Sequence, residues 1–105
     1  MTQDEQIRMK LIRQYIKEAA AHGVESAGSE VPCLELFDYS LSYLRLVQDT
    51  WNAMLVEGSA EVPICVTHIT VLDLCIEDTV RGRQVWINDQ FTRLMASPTK
   101  EGARD

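Results

Sequence analysis

Pro63-Ile64-Cys65-Val66-Thr67-His68-Ile69-Thr70-Val71-Leu72-Asp73-Leu74-Cys75-Ile76-Glu77-Asp78-Thr79-Val80-Arg81 is the stretch on which the fold class turns. Its Ile, Val and Thr content suits a strand, so two periods compete over it. A two-residue rhythm fails: Ile64, Cys65 and Val66 are apolar in succession, and Thr67, His68, Ile69 and Thr70 do not restore alternation. At 100° per residue the pattern resolves. Ile64, Cys65, His68, Ile69, Val71, Leu72, Cys75, Ile76 and Val80 fill one half of the wheel, with Thr67, Thr70, Asp73, Glu77 and Asp78 opposite. The spacing predicts a helix over 63–81 and an all-α protein. The alternative is an α+β fold, if residues 64–71 or 83–87 are strands.

Working upstream, Glu61-Val62-Pro63 repeats Glu30-Val31-Pro32. In both places Val before Pro is pushed to an extended conformation and the proline suits a first helical position. The apolar patterns after the two prolines do not align, so the tripeptide marks two helix starts and no internal repeat. The second helix is expected over Pro32 to Glu57, with Gly58 past its end. One stripe holds Phe37, Leu41, Leu44, Val47, Trp51 and Met54, and a second holds Leu36, Tyr39, Tyr43 and Leu46. A helix apolar on two sides needs two partners, within the monomer or from a second copy.

At the N-terminus Thr2-Gln3-Asp4-Glu5 matches a capping box and opens a first helix. Met9, Ile12, Tyr15, Ile16 and Ala19 share one side, with Leu11 on its flank, and Gly23 reads as the residue that stops it. Residues 24–31 then read as a loop. Downstream, Gly82 interrupts the pattern, and Ile87, Phe91, Leu94 and Met95 form the stripe of a fourth helix starting at Gln84 or after Asn88. Ser97-Pro98 ends it. The expected architecture is therefore a bundle of about four helices, a single domain over 1–97 with a flexible tail over 98–105.

The charge is unevenly placed along the 105 residues. The net charge is -6, and residues 24–80 carry ten acids against the single Arg45. An acidic centre opposes phosphate and favours a basic partner. The longest charge-free run, Val62 to Leu72, is too short to span a bilayer, and Met-Thr-Gln-Asp-Glu lacks the layout of a signal peptide. Three cysteines, Cys33, Cys65 and Cys75, fit a reducing compartment better than a disulfide framework. A cytoplasmic protein of bacterial type is expected.

No motif fixes a chemistry. Cys65, His68 and Cys75 share one helix side, but Cys65-x-x-His68 inside a helix, with no matching pair, is not a zinc spacing. Two buried cysteines and one satisfied core histidine are the expected reading. Asp73, Glu77 and Asp78 lie on a wetted face, and single glycines at element ends offer no phosphate cradle. The sequence therefore points to a protein that is not an enzyme, has no cofactor, metal or small-molecule substrate, and does not enter membranes. Its expected partner is another protein, as an adaptor or inhibitor, or itself in a homodimer. Tyr39, Tyr43, Leu46 and Trp86 would supply contact area, and Asp73, Glu77 and Asp78 would steer a basic partner. The competing class is a small nucleic-acid-binding regulator using Lys10, Arg13, Lys17, Arg81 and Arg83.

Overall fold

The computed structural model describes the backbone of residues 2–104 and the side chains of residues 2–96. Among them are three helices and no strand: α1 (Gln3–Ala27), α2 (Leu34–Glu57) and α3 (Val62–Arg104). The all-α expectation holds, and the stretches 64–71 and 83–87 are helical. α2 runs antiparallel to both neighbours, so the short connections after Gly28 and Gly58 build an up-down-up bundle. Cross-links mark the register. Ser40 donates to the Ala19 carbonyl at 3.0 Å and Tyr43 to Glu18 at 3.0 Å between α1 and α2, while Gln48 donates to the Ile69 carbonyl at 3.1 Å between α2 and α3.

Each helix start and stop has a local cause. Thr2 accepts from the Glu5 N–H at 3.2 Å, the threonine half of the expected capping box. Pro32 is not the first residue of α2. Cys33, extended at φ -157°, takes the cap position without a side-chain bond, and the helix begins at Leu34. Gly58 closes α2 as expected, left-handed at φ 72°.

Three expectations need correction. Gly23 does not stop α1, which runs on to Ala27 and is capped by Gly28 at φ 70°. Gly23 is buried inside the helix, where a Cβ would sit 2.6 Å from Ser40 Oγ and 2.9 Å from the Leu36 carbonyl oxygen. Its bareness lets α1 and α2 cross closely, a packing role that looks identical to a stop signal in sequence. Gly82 likewise does not break the chain. A helical glycine costs about 1 kcal/mol relative to alanine, too little to end a helix packed on both sides of the position. The expected third and fourth helices are therefore one, giving three helices in place of four. Finally, the backbone of α3 continues through Ser97-Pro98 to Arg104, although an interior proline disfavours a helix. The tail expected over 98–105 is thus helical to Arg104, and residue 105 lies outside the described residues.

The buried core is Tyr15 and Ala19 of α1, Leu41 and Leu44 of α2, and Cys65, Val71, Leu72 and Cys75 of α3. Leu11, Ile12, Ile16, Tyr43, Val47, Trp51 and Ile76 pack around it. Met9, expected on the core side of α1, is exposed. All the buried residues of α3 among the described side chains precede Gly82. With 43 residues against 25 and 24 in its partners, α3 spans about 64 Å and outruns them. The molecule measures 67 × 32 × 20 Å, and its radius of gyration is 18.4 Å. A compact chain of this length has about 13 Å.

Candidate functional site

Two kinds of feature compete for the functional site: a polar cluster inside the bundle and the apolar residues left outside it. The cluster joins all three helices. The Trp51 indole can only donate, and its Nε1 lies 3.2 Å from the Tyr15 hydroxyl oxygen. The hydroxyl in turn forms a hydrogen bond with His68 Nδ1 at 2.7 Å. The His68 ring stacks on Trp51 with centroids 4.0 Å apart and planes 8° from parallel. Burial raises the Tyr15 phenol above its ordinary value, with Trp51 opposing and Glu18 and Cys75 adding to the rise. Burial also lowers His68. Both shifts favour the neutral forms of the two groups. The cluster ties α1, α2 and α3 together; His68 has its partner as expected from the sequence, but it is half-buried and not a core residue.

Cys65 and Cys75 are fully buried. Cys75 points at the Ile12 carbonyl with Sγ at 3.8 Å, and burial, with Asp78 nearby, pushes its thiol up to about 11. A thiol so held is an inert packing group. Cys33 is half-buried at the start of α2, in a different region. Among the described residues no three His, Cys, Asp or Glu side chains converge as a metal site would require.

The expected interface residues fall in separate places. Tyr43 donates to Glu18 and lies against His22, with ring centroids 5.2 Å apart, so it belongs to the α1–α2 seam. Burial, with Glu18 adding, raises its phenol. Trp86 packs against Phe37 at 6.3 Å between centroids and is half-buried. Tyr39 and Leu46 remain outside on α2, 40% and 66% exposed. The second stripe of α2 is therefore divided, with Tyr43 turned to α1 and Tyr39 and Leu46 to solvent. Asp73 accepts from Gln48 at 2.6 Å, while Glu77 and Asp78 are exposed on α3.

The basic residues are not gathered. Lys10, Arg13 and Lys17 are exposed along α1 and Arg81 is exposed on α3. Arg83 is engaged with Asp38, Nε to Oδ1 2.9 Å, in a pair tying α2 to α3. Among the described residues no hydrogen bond or ion pair joins the α1 cations to the α3 ones.

A further apolar surface was hidden in the sequence by the apparent break at Gly82. On an uninterrupted α3, Val80, Ile87 and Leu94 recur every seven residues with Phe91 between them, a single seam on one helix face. Val80 is 44% exposed, Phe91 62% and Leu94 69%. Trp86, Asp89, Gln90 and Arg93, on the other side of the helix, border Val31 and Pro32 of the α1–α2 connection. The seven-residue recurrence was available in the sequence, but only to a reading that carried the helix through Gly82.

A shallow apolar groove lies at the opposite end of the bundle, between Ile7 and Leu11 of α1 and Pro63, Ile64, Thr67 and His68 of α3. No described helix is long and apolar enough to cross a membrane. Comparison with known proteins yields no matching family model, no similar curated protein and no similar solved structure.

Proposed function

We propose that this chain is a small cytoplasmic protein-interaction module, acting without catalysis as an adaptor or inhibitor that docks through its helix surfaces. The observation that carries this reading is the distribution of apolar side chains. A bundle with a small core leaves Phe91 and Leu94 on α3, and Leu46 on α2, each more than 60% exposed. Scattered exposed leucines are ordinary, but an aligned seam on an overlong helix is the form in which helices present binding surface. Glu77 and Asp78 stand on the same helix, and their charge would raise the encounter rate with a basic partner. The polar cluster of Tyr15, Trp51 and His68 serves as the rigid connection beneath these surfaces.

The test is affinity capture from the native source with the wild-type chain, a Leu46→Asp variant and a Leu94→Asp variant, all checked for unchanged helical content. A stoichiometric protein partner retained by the wild type and lost with one variant is expected. Absence of any protein partner, a second copy included, together with binding to random duplex DNA at low salt, would replace this reading with the nucleic-acid one.

A further inference from the structure

We propose that the groove at the start of α3 binds a small, uncharged phenol, with its ring between α1 and α3 and its hydroxyl on His68. The site lies apart from the α3 seam, and its occupancy does not depend on the proposed interaction role. Ile7 and Leu11, one turn apart on α1, form one wall, and Pro63, Ile64 and Thr67 of α3 form the other, around about 260 Å³ of open space. Ile7 and Ile64 are each 46% exposed, so the walls are apolar surface that no part of the described chain covers. A ring inserted between them would take that surface out of water.

The fold holds one polar ring in this slot. His68 has Nδ1 bonded to the Tyr15 hydroxyl at 2.7 Å, and it stacks on Trp51 with centroids 4.0 Å apart. Those contacts leave the opposite ring face and the Nε2 edge for the groove that His68 lines, and no described residue bonds to Nε2. Thr67 donates its hydroxyl proton to the Pro63 carbonyl at 2.8 Å, so His68 supplies the one free nitrogen among the lining side chains. Apolar walls with a single fixed polar group are the usual form of a small-molecule site, and a ring fixed in advance loses little freedom on binding.

Charge selects a neutral ligand. No acid or permanent cation lines the inner groove. The open space continues past Ile7, Pro63 and Thr67 to Asp4 and Arg8, one charge of each sign. Burial lowers His68 and favours its uncharged form. A hydroxyl both donates and accepts, so it fits the imidazole in either tautomer. A carboxylate or an ammonium would give up hydration to a slot without a matching charge.

Amide chemical-shift titrations of the full chain with 4-ethylphenol, ethylbenzene and 4-ethylbenzoate test the site. The expected result is saturable binding of 4-ethylphenol with a Kd on the order of 1 mM, and the largest shifts at Ile7, Leu11, Ile64 and His68. Ethylbenzene, which lacks the hydroxyl, and the charged 4-ethylbenzoate should each bind about tenfold more weakly. Ile64→Trp, at an exposed position, should fill the slot and abolish binding at unchanged helical content. His68→Phe keeps a ring against Trp51 without the nitrogen, and should bring 4-ethylphenol down to the affinity of ethylbenzene. No saturable shift up to about 10 mM, equal affinity for either analogue, or binding that survives Ile64→Trp would each overturn the site.

Discussion

The two halves of α3 are one continuous helix with opposite fates. From Val62 to Gly82 it contributes Cys65, Val71, Leu72 and Cys75 to the core, each at most 1% exposed. From Arg83 onward no described residue is buried, and every residue over 91–96 is exposed, although Ile87, Phe91 and Leu94 are as apolar as the residues upstream. Apolar character thus does not determine burial; the lengths of α1 and α2 do. Where those helices accompany α3 the apolar residues that face them become core, while Val66 and Leu74 on the outer side stay exposed, and beyond α1 and α2 the same chemistry becomes surface.

The comparison breaks most decisively at its two leucines. Leu72→Asp should abolish the fold, since an unpaired carboxylate at a fully buried position costs more than about 4 kcal/mol, and far-ultraviolet circular dichroism at 25 °C should show a largely unfolded chain. Leu94→Asp, the same exchange in the second half, should retain the helical signal and a cooperative melt.

Next in size are the two glycines once legible only as breaks. Gly23→Ala would drive a methyl group against the Leu36 carbonyl and Ser40, and should destabilise by about 1–3 kcal/mol in urea unfolding. Gly82→Ala has the opposite expectation. Its Cβ would meet only Phe37 Cε1, at an ordinary 3.6 Å, so the helical preference for alanine should stabilise by about 1 kcal/mol. Destabilisation at Gly82 would mean that the two halves of α3 are joined by a hinge.

A smaller effect is confined to the first half. Burial holds folded His68 below 6.5, its ordinary value. As pH falls through about 6.5 the unfolded chain takes up a proton that the folded chain refuses, so stability present at neutral pH declines and levels off only below the folded value. Urea midpoints at pH 7.5 and 5 should fall in that order, and His68→Gln should lessen the drop. Smallest in energy, and a sharp probe of access, is thiol labelling. In the native protein Cys33 should react with a maleimide, while Cys65 and Cys75 should react only after unfolding.

Much of this fold was legible in the sequence, because helical periodicity is a property of each segment. The rejection of alternation over 64–71, the long α2 closed by Gly58, and the Thr2 cap all follow from local chemistry. What was not legible depends on neighbours. Gly23 reads as a stop until Leu36 and Ser40 are seen against it, and Gly82 reads as a break until α3 is seen packed on both sides of it. The exposed seam went unread for that second reason, since Val80 and Leu94 were assigned to different helices. Tyr43 and Trp86 were named as interface residues from their wheel positions, yet Glu18, His22 and Phe37 occupy them, which no wheel of one helix can reveal.

The exposed seam of α3 as a docking surface is tested most directly by affinity capture from the native source with the wild-type chain and Leu94→Asp. The account predicts a stoichiometric protein partner that the wild type retains and the variant loses. A partner retained equally by both would contradict it.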